Sequence, residues 1–354
     1  MRGRAIPVEH KMLYGVNLAG WLVPEPWVTP SLFATTGAFD DRGLLDALGA
    51  ERYHKVVGLH RETFITEQDF RQIADRGYNA VRLPVPWTVF GKEGPMPGVS
   101  EQCIDYVDSA VTWSEAANLK IMLVLGDIPG GNEIPEALGS VIGMGSRLRK
   151  PVIEVCARLA ARYADRSCFL GVEPLDEPVA QKRQGFTMSP GVPLHILRNF
   201  YRDCYEAIRG QAGEGPTVIL STAGRTDGWS LFMAQGRYKN VWLDVHPYHY
   251  NDLVDAAGPA GIRQLVDSSV AAIEKVGRSG LPVVVGEWSA ALPVSSATPT
   301  PEGRLAMERV YASAQIQAFR QTEGWFFQTW KTETRLTAWD ARVAFSTFER
   351  GMFD

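Results

Sequence analysis

The 354-residue sequence is poor in the features that mark several classes of protein. It has no basic block or stripe: 36 Lys and Arg stand against 40 Asp and Glu, a formal net charge of −4. The electrostatic footprint of a nucleic-acid binder is therefore missing. No run of about 18 apolar residues occurs, which argues against a membrane span. Cysteine is scarce, with four residues at positions 103, 156, 168 and 204. No CxxC or HExxH motif is present, so no metal site is expected. Three of the cysteines fall in apolar or helical surroundings, which favours buried free thiols over disulfides. The amino-terminal "MRGRAIPVEHKMLYGVN" is positive but lacks an apolar stretch long enough for a secretory signal, so a cytoplasmic location is the expectation. Internal repeats and low-complexity tracts are also lacking.

What is present is a series of short β-rich runs. They are "MLYGVNL" (12–18), "NAVRLPV" (79–85), "KIMLVLG" (120–126), "CFLGVEPL" (168–175), "TVILST" (217–222), "VWLDVHPY" (241–248), "PVVVGEW" (282–288) and "GWFFQTW" (324–330). Several are almost continuously apolar, as parallel strands covered on both faces must be. Helical patterns lie between them, at 66–77, 100–119, 150–166, 193–210 and 302–319. The first has Thr66 as a candidate N-cap, acids in the opening turn and Gly77 as a stop. Strands alternating with helices predict one α/β domain, a (β/α)₈ TIM barrel with right-handed crossovers. The stretch from 19 to 64 reads as a decorated loop between the first two strands. A doubly wound sheet would want a glycine-rich phosphate turn early on, and "GVNLAGW" matches GxGxxG poorly.

In such a barrel the chemistry gathers where the strands end. Polar and aromatic residues do collect there: Asn17 and Glu25 after the first strand, Arg82 and Trp87 around the second, Asp176 and Glu177 after the fourth. His246 and Tyr248 follow the sixth, Glu287 and Trp288 end the seventh, and Trp330 and Lys331 follow the eighth. Two glutamates, Glu177 and Glu287, would face one another across the mouth. A facing pair of carboxyl groups is what glycoside hydrolysis needs, one protonated to release the leaving oxygen and one ionised to attack. Glu173 shares strand parity with Glu177 and points inward as buried support.

"YGVNLAGWLVPEPWVTPSLF", "YNAVRLPVPW", "EPLDEP", "HPYHY", "VVVGEWS" and "GWFFQTWKTE" together resemble glycoside hydrolase family 5, in particular its exo-β-1,3-glucanase branch. The six motifs run in order from about residue 14 to about 333. The resemblance implies a retaining hydrolase that works without metal or cofactor on an oligosaccharide or small β-glycoside. It implies Glu177 as acid/base, Glu287 as nucleophile, Arg82 holding the nucleophile ionised, and His246 and Tyr248 ordering the carboxylates. Trp330 would form the sugar platform and Glu25 would bind sugar hydroxyls, with Asp176, Trp87 and Trp288 also on the substrate. Two positions depart from the family pattern. Asp176 stands where Asn is usual and can, when ionised, only accept hydrogen bonds, and Gly126 stands where His is usual. Both bear on sugar specificity, so a β-mannosidase is the second reading and a non-catalytic sugar-binding barrel the third.

Overall fold

The computed structural model describes residues 12–95, 102–185, 187–296 and 300–345, so the segment before Met12 that was read for a secretory signal lies outside the described residues. Each apolar run forms a strand: β1 (Leu13–Asn17), β2 (Ala80–Val85), β3 (Lys120–Leu125), β4 (Phe169–Glu173), β5 (Thr217–Ser221), β6 (Val241–Val245), β7 (Val283–Trp288) and β8 (Gly324–Phe327). All pairings between them are parallel, and β1 closes the barrel by pairing with both β2 and β8. The helices that cover it include α1 (Glu67–Asp75), α2 (Ile104–Ala116), α3 (Arg149–Tyr163), α4 (Leu194–Ala212), α5 (Pro259–Gly277) and α6 (Pro301–Ala318). The start of α1 is held by Asp69, whose carboxylate accepts from the Thr66 backbone N–H at 2.9 Å and its hydroxyl at 3.0 Å.

Side chains pointing into the barrel are sorted by height. Leu13, Ala80, Met122, Leu170, Ile219, Trp242, Val284 and Phe326, one from each strand, pack together as an apolar plug. Two residues further along their strands stand Arg82, Ser221 and Asp244, all buried. Period-two alternation thus puts an apolar floor beneath a polar layer.

Two register slips alter that alternation. Trp325 pairs with Val285 but Phe327 pairs with Trp288, so β7 carries one extra residue. A similar slip places an extra residue in β4, between Phe169 and Gly171. A bulge of this kind re-aims the side chains that follow it. In β7 it leaves Glu287 facing the barrel mouth and Trp288 facing outward.

The alternation of strands and helices is incomplete. Residues 222–240, between β5 and β6, contain turns but no helix, against the regular pattern expected. Helix α5 was not among the helical patterns read from the sequence, because its small residues (Ala260, Gly261, Ser268, Ser269, Ala271, Ala272) blur the apolar stripe. The decorated β1–β2 segment holds helices at Asp41–Leu48 and Ala50–Thr63. All four cysteines are buried and free.

Candidate active site

Arg82 organises the site. Its side chain is wholly buried within the barrel. Nη1 donates to Glu287 Oε1 at 2.6 Å and to Asn17 Oδ1 at 3.0 Å; Nη2 donates to Glu173 Oε2 at 2.9 Å and to Asp176 Oδ1 at 2.6 Å. One guanidinium therefore serves three acids, using its planar fork. Glu173 is fully buried, as the parity argument expected, and adjoins the chemistry through Arg82 and through its place beside Asp244 and His246.

Glu287 takes a second bond from the Tyr248 hydroxyl at 2.9 Å on Oε2. Glu177 lies opposite, its side chain 40% exposed, with His246 Nδ1 at 2.7 Å from Oε1. Its backbone φ of 37° is in the left-handed region, uncommon for a residue with a side chain and a conformation found at functional sites. Oxygen atoms of Glu177 and Glu287 and a ring nitrogen of His246 all lie within 4.8 Å of one another. The imidazole also meets buried Asp244 through Nε2 at 3.4 Å. Asp244 accepts from the Gly286 N–H, and a Cβ on Gly286 would fall 1.8 Å from Asp244 Oδ2, so this close approach requires glycine.

Charge is unevenly shared. Burial and the neighbouring Asp176 push Glu287 up to about 8, against the pull of Arg82 and His246. Burial works to raise Glu177 as well, but the hydrogen bond and charge of His246 prevail and lower it. For His246, burial opposes the charged form, and Asp244, Glu177 and Glu287 outweigh it, raising the imidazole well above its usual range. Of the facing pair, Glu287 is thus the one pushed toward its protonated form and Glu177 the one pulled toward its ionised form.

Around these groups opens a cavity of about 790 Å³. Glu25 lines it, accepting from the Trp27 indole at 2.7 Å and the Gly20 N–H at 3.2 Å. Burial, with a smaller contribution from Asp176, pushes Glu25 up to about 7. The aromatic wall is built by Trp27, Tyr248, Tyr250 and Trp339, whose rings pack with centroids 5.3 to 5.7 Å apart. Apolar faces of this kind suit a pyranose ring.

Three expected substrate contacts are not on this cavity. Trp330 is fully buried; its indole donates to Asp69 Oδ1 at 2.8 Å, and Arg76 lies over the ring at 5.7 Å. The chain turns away after β8, and Gln328, two residues past inward-facing Phe326, lines the cavity instead. Trp288 is also fully buried, edge-on to Phe319, Trp325 and Phe327, because the β7 bulge rotates it outward. Trp87 packs half-buried against the core and contributes its backbone N–H, which donates to Asp127 Oδ1 at 2.9 Å.

Sequence reasoning passed over Asp127, Asn132, Glu133, Gln328 and Trp339, all on the cavity wall. Apart from Gln328, reachable by strand parity from Phe326, they sit in loops where no period signals orientation. Gly126 lines the cavity too, but a Cβ there would meet Pro84 Cβ at 2.9 Å and Val23 Cγ2 at 3.2 Å. The expected histidine position therefore has no room for a side chain without movement of its neighbours.

A parallel eight-stranded barrel with two facing glutamates at its mouth is an arrangement of the glycoside hydrolases. The cellulase model, glycosyl hydrolase family 5, matches residues 50–322. A probable glucan 1,3-beta-glucosidase A of Emericella nidulans is 31% identical, the match covering 90% of this chain and 85% of the relative. A glucan 1,3-beta-glucosidase of Schwanniomyces occidentalis is 28% identical over 94% of this chain and 85% of its own. Among solved structures, the rutinosidase of Aspergillus niger superposes with a TM-score of 0.77 at 18% identity, over 97% of this chain and 98% of that one, a likeness of fold. The chain belongs to glycosyl hydrolase family 5.

Proposed function

We propose that the protein is a retaining, exo-acting β-glycosidase that removes single gluco-configured sugars from β-linked oligosaccharides. The observation that carries this reading is the approach of Glu177 and Glu287, with one oxygen of each within 4.8 Å. Carboxyl groups about 5–5.5 Å apart serve double displacement, whereas inversion needs about 6.5–9.5 Å to admit a water. The names of the relatives support a β-glucosidic substrate.

The first requirement is a proton in the right place. Glu177 must be protonated and Glu287 ionised before attack, and His246, with Nδ1 2.7 Å from Glu177 Oε1, is placed to hand Glu177 that proton. Glu287 then bonds to the anomeric carbon as the glycosidic C–O bond breaks and Glu177 gives its proton to the leaving oxygen. A water next attacks the same carbon, Glu177 takes its proton, and the bond to Glu287 breaks. Arg82 and Tyr248 hold Glu287 in line throughout.

The test is hydrolysis of matched 4-nitrophenyl β-glucoside and β-mannoside, with Glu287→Gln as the blank and anomer formation followed by proton NMR. Faster glucoside turnover, β-anomer formed first and loss of activity in the variant are expected. Faster mannoside turnover would reassign the sugar, and an initial α-anomer would overturn retention. Wild type indistinguishable from the blank on every glycoside would leave a sugar-binding barrel.

A further inference from the structure

Asp244 stands in the polar layer beneath the cavity, wholly buried, with no surface for a substrate to touch. Its carboxylate is nevertheless held in one orientation. Oδ1 accepts from the Gly286 N–H, one residue before Glu287, and the Gly286 carbonyl in turn accepts from Asn17 Nδ2 at 2.9 Å. Glycine at 286 admits the carboxylate, since a Cβ there would meet both of its oxygens. With Oδ1 anchored, Oδ2 lies 3.4 Å from His246 Nε2. Neither Oδ2 nor Nε2 has a hydrogen-bond partner elsewhere among the described residues, and both are sealed from solvent. Two buried polar atoms so placed are satisfied only by each other. Glu173 Oε1, within 4.8 Å of both, stands further from Nε2 and belongs to a carboxylate that Arg82 already pairs.

The two nitrogens of His246 therefore face different tasks. Nδ1 lies 2.7 Å from Glu177 Oε1. An imidazolium carries two protons and gives up one, and the partner of each nitrogen decides which one leaves. Were Nε2 to lose its proton, Nδ1 would keep the other and have none to give Glu177. A fixed acceptor at Nε2 prevents this. Glu177 and Glu287, which both change charge during turnover, approach the ring at Nδ1, at 2.7 and 3.8 Å. Asp244 takes part in neither transfer. The remaining titratable groups around the pair are Glu173 from β4, Arg82 from β2, Tyr248 after β6 and Tyr201 from α4.

We propose that Asp244 is a positioning residue for the acid step: its Oδ2 keeps the proton on His246 Nε2, so that the proton His246 gives up is the one on Nδ1, facing Glu177. This rests on the glycosidase reading above. In the transfer the Nδ1–H bond breaks, its electron pair stays on Nδ1, and a Glu177 Oε1–H bond forms. Imidazolium and carboxylate become imidazole and carboxyl, and the Nδ1 lone pair accepts from the new hydroxyl. When Glu177 later takes a proton from water, that lone pair receives it and the resting state returns.

The experiment compares kcat/KM of wild type and Asp244→Asn on two substrates. One is 2,4-dinitrophenyl β-glucoside, whose leaving group departs as a stable anion. The other is a β-1,3-linked glucose disaccharide, whose leaving hydroxyl needs the proton. Asparagine keeps the shape and an oxygen for the Gly286 N–H, but sets an amide donor against Nε2. The disaccharide is expected to lose at least about a hundredfold and the dinitrophenyl glucoside less than about tenfold, the span that general acid catalysis covers. Melting temperature checks that the variant is folded. Should it not fold, wild type labelled with ring-¹⁵N histidine serves, His246 being identified by its absence from the spectrum of His246→Gln. Its Nε2 proton is expected to persist at every pH at which the protein is folded. Equal losses on the two substrates in folded Asp244→Asn, no loss on either, or departure of the Nε2 proton before that on Nδ1 would overturn the inference alone. Wild type equal to Glu287→Gln on both glycosides would instead remove the reading beneath it.

Discussion

Asp176 and Glu287 share one arginine, and the pH profile should report that sharing. Glu287 must be ionised to attack, and burial together with Asp176 raises it to about 8. Glu177 must at the same time carry the one proton that the pair shares, so for a neutral aryl β-glucoside kcat/KM should fall as pH rises through that region and the pair loses it. Asp176→Asn removes a negative neighbour, so the falling limb should move to lower pH, though not to the value of a free carboxyl, since burial persists. Rates from pH 5 to 9 for both proteins check this. An identical limb in the two would mean that Asp176 does not set the charge state of Glu287.

Elements decide which aromatic groups meet the sugar. The segment after β8 sends Trp330 to the start of α1, where Asp69 accepts from its indole and from Lys331 Nζ at 2.7 Å. Trp339, further along the same segment, returns to the cavity beside Trp27 and Tyr248. The two tryptophans should therefore fail differently. Trp330→Ala removes a fully buried ring and should cost about 3–5 kcal/mol of stability by denaturant unfolding. Trp339→Ala removes a half-buried wall of the site and should chiefly raise KM, with a smaller stability loss. Equal stability losses with unchanged KM in Trp339→Ala would place the sugar elsewhere. The same logic applies to the β7 bulge, which presents Glu287 to the mouth at the expense of Trp288.

At the scale of the whole barrel, Arg82 ties together β1 through Asn17, β4 through Glu173, β7 through Glu287 and the loop bearing Asp176. Removing it strands three acids in a buried layer. Breaking a buried pair in this way costs about 3–5 kcal/mol. Arg82→Ala should be damaged in proportion to the charge it leaves. Carboxyls whose folded pKa is raised lose stability as pH rises, because the native state then binds more protons than the unfolded one. The gap between Arg82→Ala and wild type should thus be wider at pH 8 than at pH 5 in urea unfolding. A gap independent of pH would show that packing, not charge, carries the loss.

Much of this architecture was legible along the chain. Continuous apolar runs such as "KIMLVL" and "PVVVGEW" read as parallel strands covered on both faces, and their alternation with helices points to a barrel with acids at the strand ends. Glu177, Glu287, Arg82, His246, Tyr248, Glu25 and Asp176 were each found near the cavity from strand position and motif. Orientation past the last hydrogen-bonded residue was not legible, because period two holds only inside a ladder. A single extra residue in β7 turned Trp288 away, a turn after Phe327 exchanged Gln328 for Trp330, and loops brought Asp127, Asn132, Glu133 and Trp339 to the wall. The balance of charge was equally hidden: seven acids scattered from residue 25 to residue 287 become one electrostatic site only when closure of the barrel brings them to the same cavity. Local composition sets which elements form, whereas the pKa of each acid depends on neighbours that are distant in the chain and close in space.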